Sequence, residues 1–173
     1  KKIDDFPFPD WELFDIKTYL ADTKKHPPKT FGGVAHTWFY KPEEAVAMPV
    51  NTARGCVFKC TFCHYVYWHD PYRQRSAQNV LDEIKQNQKK YGANFFNFWD
   101  ELTFHKIGPA EKFVDELIKA DLKIHWTCSI RADLMGRDVD NKGNPIPRET
   151  RLNLAKKFVQ AGCTTVNFSL ESG

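Results

Sequence analysis

The sequence predicts an α/β fold in which short strands alternate with helices in parallel βα units. Two observations support this prediction. From Ala47 onward, apolar strand-like runs and amphipathic helix-like segments alternate, and four runs of the first kind enclose three of the second. Boundary residues also stand where the helices would start and stop, with Ser76 as a candidate N-cap and Gly92 and Gly162 after two of the C-terminal ends.

The composition is that of a globular protein. The 173 residues are 42% hydrophobic and 14% aromatic, enough for the core of one domain or a large piece of one. The net charge of +3 comes from 25 basic and 22 acidic side chains, so it gives no reason to expect nucleic acid or an anionic membrane as a partner. Because neither a signal peptide nor an apolar run of about 18 residues is present, we expect a cytoplasmic protein without a membrane span.

We divide the chain into a leader over residues 1–45 and a core over residues 46–173. The leader has apolar residues at roughly helical spacing from Trp11 to Leu20, then the breaker-rich string HPPKTFGG. A short strand is predicted over Val34 to Tyr40. The leader is therefore expected to be partly helical and partly extended.

The core alternates strand and helix in the order of the chain. Its predicted strands are AMPVNTA, NFFNFW, KIHWTCSI and TTVNFSLESG, and its predicted helices are SAQNVLDEIKQNQKKYG, GPAEKFVDELIKA and RETRLNLAKKFVQAG. Parallel βα units carry function in the loops that follow the strands' C-terminal ends. Those loops contain a group of cysteines and the strings DELTF, SIRAD and ESG.

Three of the five cysteines lie in the string NTARGCVFKCTFCHY, as Cys56, Cys60 and Cys63. Their number is odd and no export signal is present, so a metal or redox site is favoured over disulfides. Three thiolates on one loop can hold three irons of a 4Fe–4S cluster and leave the fourth iron open. Arg54 and Lys59 place positive charge beside such a site.

Other interpretations of the cysteine string stay open at this point. A structural zinc site could use the three cysteines and His64. The fragment CTFCH matches the attachment motif of c-type haem, although that chemistry requires export and gives Cys56 no role. A chance grouping of buried cysteines is the third possibility.

The cysteine string resembles the radical S-adenosylmethionine (SAM) superfamily, whose hallmark is this spacing with an aromatic residue, here Phe62, before the last cysteine. The resemblance implies a 4Fe–4S cluster whose open iron chelates SAM, with Phe62 and the backbone near Tyr65 beside the adenine. It also implies a partial TIM-like (β/α) barrel of six units. About four units are recognised here, so we expect the chain to be a fragment that stops inside the barrel.

Acidic residues at two strand ends fit the same resemblance. Asp100 and Glu101 resemble the acidic motif that receives the SAM ammonium in many members, and Glu171 of the ESG string would lie against SAM. A carboxylate at a strand end is a good ammonium site. The alternatives are a helix N-cap cluster for the DELTF string and a solvated carboxylate for Glu171.

The SIRAD string supplies two further candidates. Arg131 is expected to pair with the SAM carboxylate or a substrate acid, and Ser129 with the ribose or carboxylate. A surface contact between Arg131 and Asp133 is the alternative. Outside the cysteine string, Cys128 and Cys163 are expected to be ordinary core thiols.

The leader and the segment RQRSAQNVLDEIKQNQKKYGANFFNFWDELTF resemble the cobalamin-associated branch of the superfamily. That branch includes methyltransferases and anaerobic oxidative cyclases of the magnesium-porphyrin ester type. The resemblance implies an oxygen-sensitive enzyme that cleaves SAM to start methyl transfer or a related carbon-centred reaction. Its expected partners are a small-molecule substrate and a reductant protein such as flavodoxin or ferredoxin, with cobalamin on a domain outside these residues. The alternative is an iron–sulfur or zinc module without SAM catalysis.

Overall fold

A computed structural model describes residues 2–25, 44–63, 71–140 and 142–168, without the side chains of Thr23 and Lys24. The strand predicted over Val34 to Tyr40 lies outside these ranges. No helix in the described ranges is both long and apolar enough to cross a membrane.

The centre of the described fold is a four-stranded sheet made of β1 (Ala47–Val50), β4 (Phe95–Phe98), β5 (His125–Ser129) and β6 (Cys163–Asn167). The strands lie in the order β1-β4-β5-β6. All three neighbouring pairs are parallel, which confirms the predicted α/β architecture. A separate antiparallel pair joins β2 (Ala53–Arg54) to β3 (Arg73–Gln74).

Helices connect the parallel strands. The α-helices are α1 (Ile16–Lys25), α2 (Ala77–Tyr91), α3 (Ile107–Ala120), α4 (Asp133–Gly136) and α5 (Arg148–Gln160). The boundaries of α2 agree with the predicted caps. The Ser76 hydroxyl accepts from the Asn79 N–H at 3.2 Å, and Gly92 ends the helix with φ 68.

The core lies between the sheet and the helices that cover it. The indole of Trp126 on β5 is fully buried and stacks on Phe98 of β4 with ring centroids 5.0 Å apart. Phe104, Phe113 and Phe158 complete an aromatic cluster with centroid separations of 5.3 to 6.1 Å. This cluster lies beneath the strands that end at the predicted functional loops.

The turn from α5 into β6 brings two backbones close together. Gly162 has φ +89, and a Cβ built there would lie 2.1 Å from the carbonyl oxygen of Ile124. Only glycine fits this position without moving the backbone. The helix α5 before this turn ends at Gln160, two residues before the required glycine.

Several elements differ from the sequence-based prediction. The leader helix begins at Ile16, because Trp11–Leu13 forms a 3-10 turn in which the Asp10 carboxylate accepts from the Glu12 N–H. The β2–β3 pair and the short helix α4 were not predicted. The last strand ends at Asn167, and Phe168 after it is not part of the strand, while residues 169–173 lie outside the described ranges.

Candidate functional site: the cysteine loop

The cysteine loop, defined here as residues 51–75, leaves the sheet at the C-terminal end of β1. Its entry turns sharply at Gly55, which is buried and has φ 78. Cys56, Cys60 and Cys63 are free thiols, and all three are half-buried. The Cys63 N–H donates to the Cys60 carbonyl at 3.0 Å, which closes a tight turn between these two cysteines. The three thiols are thus on one short segment and within reach of solvent.

No three His, Cys, Asp or Glu side chains in the described ranges are grouped so as to hold a single metal ion. A tetrahedral zinc site needs its sulfurs within about 4 Å of one another, because each lies about 2.3 Å from the same ion. A cubane cluster binds each thiolate to a different iron, so its sulfurs do not have to converge on one point. Thiolates are the protein ligands of iron–sulfur clusters, so the donor chemistry of the three cysteines fits a cluster. His64, the fourth ligand of the zinc interpretation, lies outside the described residues.

A buried carboxylate holds the entry of the loop. Oδ1 of Asp100 accepts from the backbone N–H groups of Thr52 at 2.7 Å and Ala53 at 3.0 Å, and Oδ2 accepts from the Thr52 hydroxyl at 2.6 Å. Asp100 is only 7% exposed. Burial raises the pKa of Asp100, and hydrogen bonds from Thr52, Ala53 and Thr103 oppose that rise. The carboxylate of the DELTF string thus faces the base of the cysteine loop.

The exit of the loop is attached to the same string. The Tyr72 hydroxyl donates to the Thr103 carbonyl at 2.7 Å, and the Gln74 side-chain amide donates to the same oxygen at 3.3 Å. The Arg75 N–H donates to the Thr52 carbonyl at 2.9 Å and so joins the exit to the entry. Both ends of the loop are therefore held by residues 100–103.

A buried ion pair reinforces the exit. Nη1 of Arg75 lies 2.5 Å from the Glu83 carboxylate, and the two side chains are only 10% and 2% exposed. The same nitrogen donates to the Asn51 carbonyl at 2.7 Å. Burial raises the pKa of Glu83, and the charge and hydrogen bond of Arg75 oppose the rise. The pair links helix α2 to the first residue of the cysteine loop.

Arg131, at the end of β5, reaches the cysteine loop. Its Nη1 lies 3.6 Å from Sγ of Cys60, and its guanidinium carbon lies 4.0 Å from the centre of the Phe58 ring. Its Nε also lies 3.4 Å from the Asp133 carboxylate, so the surface contact expected as an alternative is present too. The structure therefore places a cation directly beside one of the three sulfurs.

The other predicted SAM contacts differ in how exposed they are. Phe62 is 68% exposed on the loop, and Glu101 is half-buried at the end of β4. Ser129 is half-buried, and its backbone exchanges hydrogen bonds with Thr103. Tyr65 and Glu171 lie outside the described residues. The structure thus brings Glu101, Ser129 and Arg131 to the strand ends that border the cysteine loop.

A cavity of about 830 Å³ opens beside the loop. Its walls include Val57 and Phe58 between the first two loop cysteines, His105 and Ile107 at the start of α3, and Leu134 of α4. Burial, and to a lesser extent the charge of Lys106, lower the pKa of His105. The cavity is large enough for an organic ligand next to the cysteines.

The remaining cysteines lie away from the loop. Cys128 on β5 is fully buried and has a pKa raised mainly by burial, as expected for a core thiol. Cys163 on β6 is half-buried, and its thiol contacts the Thr165 carbonyl at 3.5 Å.

The sequence reasoning missed the residues that fix the loop. Thr52, Tyr72 and Thr103 make side-chain or backbone contacts at its base, and Arg75 joins its two ends. No local pattern indicates these roles, because each depends on a partner more than 20 residues away. The position of Thr103 inside the DELTF string was the one available signal.

Comparison with known proteins gives a consistent result. A family model for the radical SAM superfamily matches residues 50–173. The anaerobic magnesium-protoporphyrin IX monomethyl ester cyclase of Rubrivivax gelatinosus is 33% identical over 132 residues, which are 75% of this chain and 20% of that protein. The cytidylyl-2-hydroxyethylphosphonate methyltransferase of Streptomyces wedmorensis is 26% identical over 175 residues, 99% of this chain and 27% of that protein.

A solved structure matches the fold. The radical SAM methyltransferase TsrM from Kitasatospora setae, with cobalamin and a 4Fe–4S cluster bound, gives a TM-score of 0.51 at 18% identity. The match covers 72% of this chain and 21% of TsrM. The four parallel strands and their helices thus correspond to part of a radical SAM partial barrel. The chain spans less than a third of the length of each of these proteins.

Proposed function

Because the chain belongs to the radical SAM superfamily, we propose that Cys56, Cys60 and Cys63 hold a 4Fe–4S cluster that binds SAM. The observation that carries this proposal is the placement of three free, half-buried thiols on one loop at the C-terminal end of a parallel strand. When bound, the cluster would supply one electron to the sulfonium of SAM, which would cleave a carbon–sulfur bond and give methionine and a 5′-deoxyadenosyl radical. The loop's role is to present three thiolates and leave one iron for SAM.

The residues at the neighbouring strand ends are proposed to orient SAM. Glu101 at the end of β4 is a carboxylate suited to the SAM ammonium, and Arg131 offers N–H donors to its carboxylate. Ser129, the last residue of β5 and so on the strand next to β4, is proposed to bind a hydroxyl or carboxylate. The exposed ring of Phe62 is proposed to cover the adenine, and Tyr65 and Glu171 keep the same proposed role from the resemblance.

The reaction class is proposed from the relatives. The named relatives are methyltransferases and anaerobic cyclases, so we propose methyl transfer or a related carbon-centred reaction on a small molecule. TsrM was solved with cobalamin, which supports cobalamin bound by a part of the protein outside these residues. A reductant protein such as flavodoxin or ferredoxin is proposed to supply the electron. The exposed cations Arg54 and Lys59 on the cysteine loop suit contact with an acidic electron-donor protein.

Anaerobic reconstitution with iron and sulfide tests the cluster. The wild type is expected to bind about four irons and four sulfides per chain. The single variants Cys56→Ser, Cys60→Ser and Cys63→Ser should each bind much less iron and sulfide. Cys163→Ser is the matched control, because Cys163 is also a half-buried free thiol but lies on β6. Stoichiometric zinc in place of iron, or full iron binding by all three loop variants, would contradict the proposal.

A further inference from the structure

The two acidic residues of the DELTF string occupy different environments. Asp100 is 7% exposed, whereas Glu101 at the next position is half-buried. The Asp100 carboxylate accepts hydrogen bonds from Thr52 and Ala53 at the base of the cysteine loop, so the two neighbouring carboxylates have different surroundings. The resemblance by sequence assigned both to SAM, but the contacts separate them.

The lone pairs of the Asp100 carboxylate are already used inside the protein. A carboxylate has about four acceptor positions. Three are filled by the Thr52 N–H, the Ala53 N–H and the Thr52 hydroxyl, all within 3.0 Å. The Thr103 side chain supplies a further hydrogen bond to this carboxylate, so an incoming ammonium would have to displace a donor that is already bound, which is costly for buried groups.

These contacts lie at the base of the cysteine loop. Thr52 and Ala53 follow the end of β1 and precede Cys56 by four and three residues. The Thr52 carbonyl accepts from the Arg75 N–H, and Ala53 pairs with Gln74 across the β2–β3 pair. By holding Thr52 and Ala53, Asp100 therefore holds the backbone at both the first and the last residues of the cysteine loop.

We propose that Asp100 is a positioning residue that holds the base of the cysteine loop in place, and that Glu101 binds the SAM ammonium. This inference rests on the proposed function, since it concerns how the loop presents its thiolates. It assigns different roles to two adjacent carboxylates of one motif. Asp100 acts through Thr52 and Ala53, and it does not touch SAM.

The variant Asp100→Asn separates the two roles. The amide has nearly the same shape, its oxygen can accept from the two N–H groups, and its NH₂ group can donate to the Thr52 hydroxyl oxygen. It carries no charge for an ammonium. If Asp100 only positions the loop, Asp100→Asn keeps the iron content, and its dissociation constant for SAM stays within about threefold of the wild type.

Glu101→Gln is the matched comparison at the neighbouring position. It should keep the iron content but weaken SAM binding by about tenfold or more, because a charge-assisted hydrogen bond to the ammonium is lost. Iron content is measured after reconstitution, and SAM affinity by anaerobic equilibrium dialysis. Weakening of about tenfold or more in Asp100→Asn, with no weakening in Glu101→Gln, would overturn the inference.

The protein without cluster or SAM gives an independent readout. Hydrogen exchange of the Thr52 and Ala53 amides should be slow in the wild type and in Asp100→Asn, and fast in Asp100→Ala, which removes both acceptors. If the Thr52 and Ala53 amides exchanged equally slowly in Asp100→Ala, the proposed positioning role would be contradicted. If Asp100→Ala does not fold, the comparison of Asp100→Asn with Glu101→Gln decides. A wild type that binds neither iron nor SAM refutes the proposed function instead, and the exchange result still stands by itself.

Discussion

The guanidinium of Arg131 contacts the sulfur of Cys60, with 3.6 Å between Nη1 and Sγ. It is held there by the ring of Phe58 on one side and by the Asp133 carboxylate on the other. Because Arg131 follows β5 and Cys60 lies on the loop after β1, the contact bridges two strand ends that are separated in the sheet by β4. If Cys60 ligates the proposed cluster, a cation beside its sulfur favours the more negatively charged, reduced state of that cluster.

Arg131→Gln is therefore expected to lower the midpoint potential of the cluster. A donor to a thiolate stabilises the reduced form, which carries the extra electron. A tenfold change in the one-electron equilibrium corresponds to about 60 mV, and we expect a shift of that order. A redox titration followed by electron paramagnetic resonance measures it. The control is Arg137→Gln, because Arg137 pairs with the same Asp133 at 2.8 Å, and equal potentials in both variants and the wild type would refute the expectation.

Removing one member of the Arg75–Glu83 pair should destabilise the fold strongly. Glu83→Ala leaves the Arg75 cation buried without its partner, and losses of about 3–5 kcal/mol are typical of such changes. Urea unfolding measures the change. Glu116→Ala is the control, because Glu116 faces Lys119 at 3.9 Å on the surface of α3 and should cost at most about 0.5 kcal/mol. Similar losses of unfolding free energy in the two variants would show that burial of the Arg75–Glu83 pair does not increase the cost of removing one partner.

The pH dependence of stability should reveal the buried carboxylate of Asp100. Its pKa in the folded state is raised, mainly by burial. The stability that this group contributes is therefore fully present below its pKa in the unfolded chain, and it is lost as pH rises through its pKa in the folded state. Asp100→Asn should therefore gain stability relative to the wild type as pH rises above about 4. Thermal unfolding across a pH series measures this difference.

Asp140 provides a control of opposite sign. Hydrogen bonds from the Asn144 side chain and backbone lower its pKa, so its stabilisation is present above the unfolded value and is lost as pH falls through the folded pKa. Asp140→Asn should thus lose stability relative to the wild type as pH rises. If the stability of both variants relative to the wild type changed in the same direction with pH, the opposite pKa shifts assigned to Asp100 and Asp140 would be contradicted.

The turn into β6 should tolerate no side chain at Gly162. Gly162→Ala combines a positive φ with a Cβ 2.1 Å from the Ile124 carbonyl oxygen, and it should cost about 3 kcal/mol or more. Gly92→Ala also has a positive φ but meets no atom within 4 Å, so it should cost only about 1–2 kcal/mol. Equal losses in urea unfolding would mean that the close approach is not maintained in solution.

Elements with a local signal were predicted well from the sequence. The Ser76 cap and the Gly92 terminus of α2 depend on residues within one helical turn, and the strand through Phe96 on β4 is a continuous apolar run. The order of strands and helices then led to the parallel sheet. Local chemistry was sufficient for these features.

Features that depend on distant partners could not be predicted. The two-residue strands β2 and β3 exist because the chain returns to Thr52 after the cysteine loop, which no local pattern encodes. The orientation of Asp100 toward Thr52 depends on the register of β1 against β4, in which Val50 pairs with Phe98. The sequence identified the motif, but only the packing separates the role of Asp100 from that of Glu101.

The most direct test of the central claim is the electron paramagnetic resonance spectrum of the reduced, reconstituted protein with and without SAM. If three thiolates hold the cluster and one iron is open, adding SAM should change the g values, and SAM labelled with ¹⁵N at its amino group should show coupling to the cluster. A reduced cluster whose spectrum is identical with and without SAM would contradict the account.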